Sequence, residues 1–319
     1  MRPLWKDILA AVWLGIVIPG IILNGAVLIS RRTQPETVIA AAETVPEAES
    51  AILLRGKDGS CVSTDALTYL TGVVLAEMPA DFEPEAWKAQ SVAARTYTRK
   101  AEITGGKHGD GSVCGESACC QAYLSPEEYL SQGGSQEVLE KVRQAVADTQ
   151  PWVLAYEGEL IEAVYFSCSG GMTEAAVAVW GADFPYLQSV ESPGEEAARY
   201  HTDSRLIPWE EFFRLLEAVP PEDPGQWIGA AEYTEGGGVA VQEVAGKQYT
   251  GVELRNLLGL RSTAFTMEPA GAYIRIATKG YGHRVGMSQY GANAMAETGS
   301  TWQEILAHYY PGTVLVPAF

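Results

Sequence analysis

The sequence predicts an α+β protein: a single N-terminal transmembrane helix, then a mixed α/β extracytoplasmic domain with room for a second lobe. Three observations lead there. Residues 8–29 are almost entirely apolar, and at about 1.5 Å per residue such a helix covers a hydrocarbon core of about 30 Å. Helical signals dominate before Trp152 and period-two alternation follows it, an order that argues against a doubly wound sheet. The chain has 319 residues, 47% of them hydrophobic and 19% charged, the proportions of a globular protein of about two folding units. The balance of 22 basic against 40 acidic residues gives a net charge of −18. Nucleic acid is thereby excluded as the main partner, because phosphate binding needs a basic face.

The elements follow in order. Residues 1–7 form a short cytoplasmic tail, 8–29 the membrane span, 30–58 a tether and 59–319 the main domain. A cleavable signal peptide has a shorter apolar core. Arg2 and Lys6 before the span and Arg31 and Arg32 after it leave the positive-inside rule nearly balanced. From 33 to 54 there is no Lys or Arg, but Glu36, Glu43, Glu47 and Glu49 stand among Ala, Thr and Pro. Such a stretch cannot bury enough apolar surface to fold. A short tail, a span and a tether place the amino terminus inside and the domain outside. Ser63 or Thr64 N-caps a helix over 65–76, and Met78-Pro79 ends it. Pro84 opens the next helix, with Glu83 and Glu85 near its positive dipole end. Alanines 86, 89, 93 and 94 predict close packing on it. Ser125-Pro-Glu-Glu128 caps a further helix. Residues 153–156 and 161–166 predict a hairpin around Glu157-Gly158. A short helix over 208–218 and strands over 238–244 and 273–277 come next. Thr301 to Glu304 is a capping box for a last helix, stopped by Pro311-Gly312.

Glu77 is the first candidate for chemistry. It ends an apolar helix within Val73-Val-Leu-Ala-Glu-Met-Pro79. Such surroundings disfavour the carboxylate and raise its pKa, as a general acid near neutrality requires. The rival is a solvated glutamate, although a carboxylate there meets the wrong end of the helix dipole. His108, Cys114, Cys119 and Cys120 supply one nitrogen and three sulfur donors within one Gly-rich loop, a set that suits a closed, structural zinc site. A disulfide among the three cysteines is the alternative. Gly280 to Gly291 carries His283, Ser288, Gln289 and Tyr290. These are neutral hydrogen-bonding groups with an aromatic face, a combination that suits a sugar; a tight turn is the equal rival. Ser167 and Ser169, in Tyr165-Phe-Ser-Cys-Ser-Gly-Gly171, can line a cleft. Cys168 between them lacks a local base and reads as a small buried cysteine.

Taken together, five segments resemble the stage II sporulation protein D family. They are Glu77-Met-Pro79, Glu85-Ala-Trp-Lys-Ala-Gln-Ser-Val-Ala-Ala-Arg-Thr-Tyr97, Ser169-Gly-Gly171, Gly251-Val-Glu-Leu-Arg-Asn-Leu-Leu-Gly-Leu-Arg-Ser262 and Gly280 to Ala292. The resemblance covers roughly residues 60–319. It implies a peptidoglycan lytic transglycosylase that cleaves between N-acetylmuramic acid and N-acetylglucosamine and leaves a 1,6-anhydro end. The catalytic glutamate falls on Glu77. The metal ligands of zinc-bearing members, His, Cys, His and Cys, fall on His108, Cys114, Cys119 and Cys120, with Cys119 departing from the pattern. Lys88, Gln90, Arg95 and Tyr97 are implied to shape the glycan groove or to pack on the helix. The implied setting is the space between mother-cell and forespore membranes during engulfment, beside a sporulation amidase and its membrane partner. Amidase-enhancer proteins share the domain, so a glycan-binding activator without turnover is the alternative. A zinc hydrolase would need an open metal position, and there is no HExxH-type helix.

Overall fold

The computed structural model describes residues 51–318. The predicted span 8–29 and the tether up to residue 50 lie outside them, and among the described residues no helix is long and apolar enough to cross a membrane. The mixed α+β class stands.

The chain opens with β1 (Ile52–Arg55) and β2 (Cys61–Thr64), an antiparallel pair, and enters α1 (Ala66–Glu77). The N-cap of α1 is Asp65, whose carboxylate accepts the Thr68 N–H at 2.9 Å. Ser63 and Thr64 do not cap it, because the helix begins one residue later than the sequence implied, at Ala66, and both belong to β2, paired with Leu53 and Ile52. Next come α2 (Pro84–Thr104), β3 (Val113–Cys114), α3 (Pro126–Ser131) and α4 (Gln136–Asp148). Helix α2 is the axle of this part. Pro84 starts it, Gly105 ends it at φ 86°, and buried Ala86, Ala89, Ala93 and Ala94 let its neighbours approach closely. Helices α1 and α4 pack on it, as do two helices from the end of the chain.

Strands β4 (Trp152–Tyr156) and β5 (Glu159–Leu160) form the expected hairpin, with positive φ at both Glu157 and Gly158. Its second strand is shorter than the sequence implied. Ile161 and Ala163 turn into the core, and β6 (Tyr165–Phe166) pairs elsewhere. After α5 (Ala176–Trp180) the chain runs through β7 (Thr202–Pro208), α6 (Trp209–Leu215), β8 (Ile228–Tyr233), β9 (Val239–Val244) and β10 (Lys247–Thr250). It continues through α7 (Gly251–Leu258), β11 (Phe265–Ala270) and β12 (Tyr273–Lys279). It closes with β13 (Met287–Ser288), α8 (Gln289–Glu297), α9 (Trp302–Tyr309) and β14 (Val314–Pro317).

Two separate hydrophobic clusters give the second lobe that the length allowed. One gathers residues between Ile52 and Leu187 with residues from Val285 to Leu315; the other lies wholly between Ile207 and Ile276. The second lobe is therefore an insertion. Its first and last strands are neighbours, since β7 and β12 pair antiparallel from Thr202↔Lys279 to Pro208↔Tyr273. The chain then returns to the first lobe, where β13 pairs in parallel with β6. Gly286 makes that return possible: it sits at φ 78°, and any Cβ would collide with the Val164 carbonyl.

Candidate functional site

Glu77 is the last residue of α1, where Met78 turns extended before Pro79. It faces a cavity of about 970 Å³ whose lining includes Tyr97, Gln121, Tyr165, Trp180, Arg255, His283 and Gln289. Its Oε1 accepts the Ala122 N–H at 2.7 Å, and its Oε2 accepts the Gln289 side-chain N–H at 3.2 Å. Burial raises its pKa above the usual carboxylate value, and the two hydrogen bonds only partly oppose that. The other carboxylate of the lining, Glu162, is ion-paired with Lys100 at 2.7 Å. Glu77 thus stands as a lone acid against neutral partners.

Those partners are held from behind. Gln121 donates to the Tyr69 and Thr98 hydroxyls at 3.2 and 3.1 Å and accepts from Tyr165 at 2.9 Å. Burial pushes His283 down to about 4, with the Arg255 charge adding to it, so the imidazole is neutral at pH 7. Its ring lies 5.7 Å from Phe166 and 5.3 Å from Trp180. Trp180 keeps 45% of its surface exposed, which leaves an aromatic face for an apolar sugar face to rest on.

The structure brings Tyr97, Ser167, His283 and Gln289 to the cavity lining. Ser169 and Ser288 sit one layer behind, both donating to buried Glu195. Tyr290 meets Phe82 edge-on at 5.0 Å and lines a separate cavity of about 210 Å³. Lys88 is bound to Glu85 at 2.9 Å and Asp148 at 3.4 Å. Gln90 and Arg95 are not at the cavity but in the core, at 0% and 3% exposure. The Arg95 guanidinium caps the end of α4 through the Thr149 and Val146 carbonyls, both at 3.0 Å. Helical spacing places these residues on α2 but does not say which face meets the cavity.

Gln121, Trp180, Glu195 and Arg255 are functional candidates that the sequence reading did not single out, although Arg255 stands within the Gly251 to Ser262 segment. Glu195 Oε2 accepts from the Ser169 N–H at 2.9 Å, the Ser169 hydroxyl at 2.7 Å and the Gly170 N–H at 2.8 Å. Its other oxygen takes the Ser192 hydroxyl at 2.8 Å and the Ser288 hydroxyl. Ser288 N-caps α8, whose first residue is Gln289, so this knot fixes the residue that touches Glu77. Cys168, His201 and Glu195 are also close enough to share an ion, but the carboxylate is already filled with donors. Burial, then Glu195, pushes the Cys168 thiol up to about 12, which rules out a resting thiolate nucleophile.

The donor atoms of His108, Cys114, Cys119 and Cys120 lie within 4.8 Å of one another. The Cys119 and Cys120 sulfurs are 3.9 Å apart, and they lie 3.8 and 3.6 Å from His108 Nε2. All three cysteines are free thiols. Tetrahedral zinc with Zn–S bonds of about 2.3 Å sets its sulfurs roughly 3.8 Å apart, so the donor set fits that ion. The vicinal cysteines converge because Cys119 and Cys120 both hydrogen-bond back to the Glu116 carbonyl in one tight turn, at 2.9 Å each. The next residues along the chain are Gln121 and Ala122, the very groups that support the Glu77 site.

A family model described as "Stage II sporulation protein" matches residues 59–156, the stretch that holds Glu77 and the thiol cluster. Stage II sporulation protein D of Bacillus amyloliquefaciens is 41% identical over 249 residues, covering 76% of this chain and 72% of that protein. Stage II sporulation protein D of Bacillus subtilis (strain 168) is 36% identical over 302 residues, covering 92% and 88%. A protein named amidase enhancer, from the same strain, is 29% identical over 299 residues, covering 77% of this chain and 40% of its own length. The extent of the first two matches places the chain in the stage II sporulation protein D family.

Proposed function

We propose that the protein is a membrane-anchored peptidoglycan lytic transglycosylase of sporulation. It cleaves the bond between N-acetylmuramic acid and N-acetylglucosamine without water. The observation that carries this reading is the buried Glu77, whose own hydrogen-bond partners are neutral, in a large cavity lined mainly by polar and aromatic groups. A hydrolytic glycosidase places two carboxyl groups about the bond. Here the second acid, Glu162, is held by Lys100.

The chemistry follows from the geometry. The Ala122 N–H makes the shorter bond, to Oε1, which leaves Oε2, met only by the longer Gln289 bond, as the oxygen better placed to carry the acid's proton. Oε2–H protonates the leaving glycosidic oxygen as that bond breaks and the muramoyl ring gains oxocarbenium character. The ring's own 6-hydroxyl then closes on the anomeric carbon and returns its proton to Glu77. The attack is intramolecular, so no water has to be held in place. Neutral His283 and Gln289 offer hydrogen bonds without adding charge, and Trp180 stacks beneath a sugar face.

His108, Cys114, Cys119 and Cys120 would hold one zinc ion. Four protein ligands leave no position for substrate, so the metal would supply folding energy. The loop it ties leads directly into Gln121 and Ala122. Chelation is expected to lower the melting temperature and slow anhydro-product release together, read by thermal denaturation and product assay on the same sample. Elemental analysis after reducing purification should give one zinc per chain. A native disulfide within the cluster would refute the site.

The domain would lie outside the cytoplasm, held by a span at 8–29, in the space between mother-cell and forespore membranes. An amidase and a membrane partner of engulfment would work beside it. A fusion at Phe319 to a reporter active only in the cytoplasm should stay silent; an active fusion would overturn that orientation. The likeness to a protein named amidase enhancer favours a second reading, a glycan-binding activator without turnover. Mass spectrometry of digested peptidoglycan separates the two. The lytic reading requires 1,6-anhydro-muropeptides from the purified chain alone.

A further inference from the structure

We propose that Arg255 is the specificity-determining residue of the cavity: its guanidinium takes a carboxylate of the substrate, so the site selects acidic glycan over neutral glycan. The proposal rests on the peptidoglycan reading of the Glu77 cavity and goes beyond it by assigning the residue that tells the two sugars apart.

Arg255 stands on α7, on the inserted lobe, and reaches the cavity that Glu77 lines from the first lobe. Leu254 and Leu258 bury the neighbouring face of α7 in the second core, so the helix that carries Arg255 is held. The side chain is half-buried, and burial lowers its pKa below the ordinary arginine value. Taking a charge out of water costs energy unless a partner repays it. Among the described residues no hydrogen bond or ion pair to a protein group serves the guanidinium. The other arginines of the neighbourhood are engaged: Arg261 binds Asp203 at 2.8 Å and Arg284 binds Glu174 at 3.2 Å. The carboxylates of the lining are occupied too, Glu162 by Lys100 and Glu77 by Ala122 and Gln289. The second cation of the lining, Lys107, donates to the Cys119 carbonyl.

The charge of the whole chain sharpens the point. At a net charge of −18 the protein repels an acidic polymer at long range. A half-buried cation with no acid beside it reverses that locally and favours an anionic group at one spot. Arginine suits a carboxylate better than lysine does, because its planar fork makes two parallel hydrogen bonds. N-acetylmuramic acid differs from N-acetylglucosamine by a lactyl ether that ends in a carboxyl group. That carboxyl is either free or amide-linked to a stem peptide that ends in carboxylates of its own; both forms present a carboxylate to Arg255.

The test is calorimetric binding to the full-length chain carrying Glu77→Gln, which prevents turnover during titration. The probes are a tetrasaccharide of alternating N-acetylglucosamine and N-acetylmuramic acid with free lactyl groups, the same tetrasaccharide bearing stem peptides, and tetra-N-acetylchitotetraose. At least one acidic probe is expected to bind roughly 10- to 100-fold tighter than the neutral one, and the arm that does identifies the carboxylate. Adding Arg255→Gln should erase that preference, bringing the acidic probes to the affinity of chitotetraose. Arg255→Lys should restore little of it. Equal loss for all three probes would show a merely structural residue and overturn the proposal, as would a preference that survives Arg255→Gln. The lytic reading fails separately, by absence of anhydro products from the unmodified protein, and such a failure would leave the binding preference intact.

Discussion

Glu77→Gln is expected to reduce anhydro-muropeptide release by at least about 10²- to 10⁴-fold, the range that general acid–base catalysis contributes. Gln cannot give up a proton, yet it keeps the shape of the side chain and an oxygen for the Ala122 N–H. The fold should survive and can gain. The folded-state pKa of Glu77 lies above its ordinary value because of burial. The folded state therefore binds the proton more tightly than the unfolded chain, and stability declines as pH rises from the ordinary value through the raised one. Above that window the native protein carries a buried charge that Gln does not. The variant should match or exceed the parent's melting temperature at pH 7. The same shift sets the activity profile: the rate falls as pH climbs through the raised pKa and the acid is lost. Unaltered product release by the pure variant would sink the assignment of Glu77.

Arg284→Met carries the largest expected loss of stability, about 3–5 kcal/mol by analogy with other broken buried pairs. The Arg284 and Glu174 side chains are only 3% and 2% exposed and lie 3.2 Å apart. Arg284 also donates to the carbonyls of Ser169 at 2.8 Å, Met172 at 2.7 Å and Gly236 at 2.6 Å. Glu174 accepts from Thr234 at 2.7 Å and Gly238 at 2.8 Å. The pair therefore rivets the insertion to the first lobe. Its loss strands a buried carboxylate. Adding Glu174→Leu to Arg284→Met should recover part of the loss, because the stranded charge goes while the orphaned carbonyls remain. Urea denaturation measures both, and a cost under about 1 kcal/mol for the single variant would contradict the account.

Local signals were readable wherever the physics is local. The Ser125–Glu128 and Thr301–Glu304 capping boxes form as spaced, with both reciprocal bonds. Pro84 opens its helix, and Glu77 ends an apolar one. The thiol loop was legible because its ligands are near neighbours in sequence, although convergence of Cys119 and Cys120 needed the turn at Glu116 to become visible. Long-range groups were not legible. Glu195 looks like one of several acids in Pro193-Gly-Glu-Glu196 until the fold brings Ser169, Ser192 and Ser288 around it. Of the two roles that the resemblance implied for Gln90 and Arg95, groove or helix packing, the fold gives the second: both are buried, and Arg95 is tied to carbonyls of α4 and its exit. Trp180 and Arg255 come to one cavity from elements in different lobes, and no window of sequence contains both.

The paired strands at the base of the insertion bear on how the chain finds its fold. The first core cannot close until residues beyond 285 return to β6, and Tyr165↔Met287 is a contact of long sequence separation. Residues 202–279 have a core of their own. Once that core forms, β7 and β12 hold its two ends side by side, and most of the intervening chain no longer counts as loop. Each halving of the loop saves about 0.6 kcal/mol of closure entropy. Variants in β7 or β12 are therefore expected to slow refolding of the whole chain more than variants in β4 or β14, read by stopped-flow fluorescence.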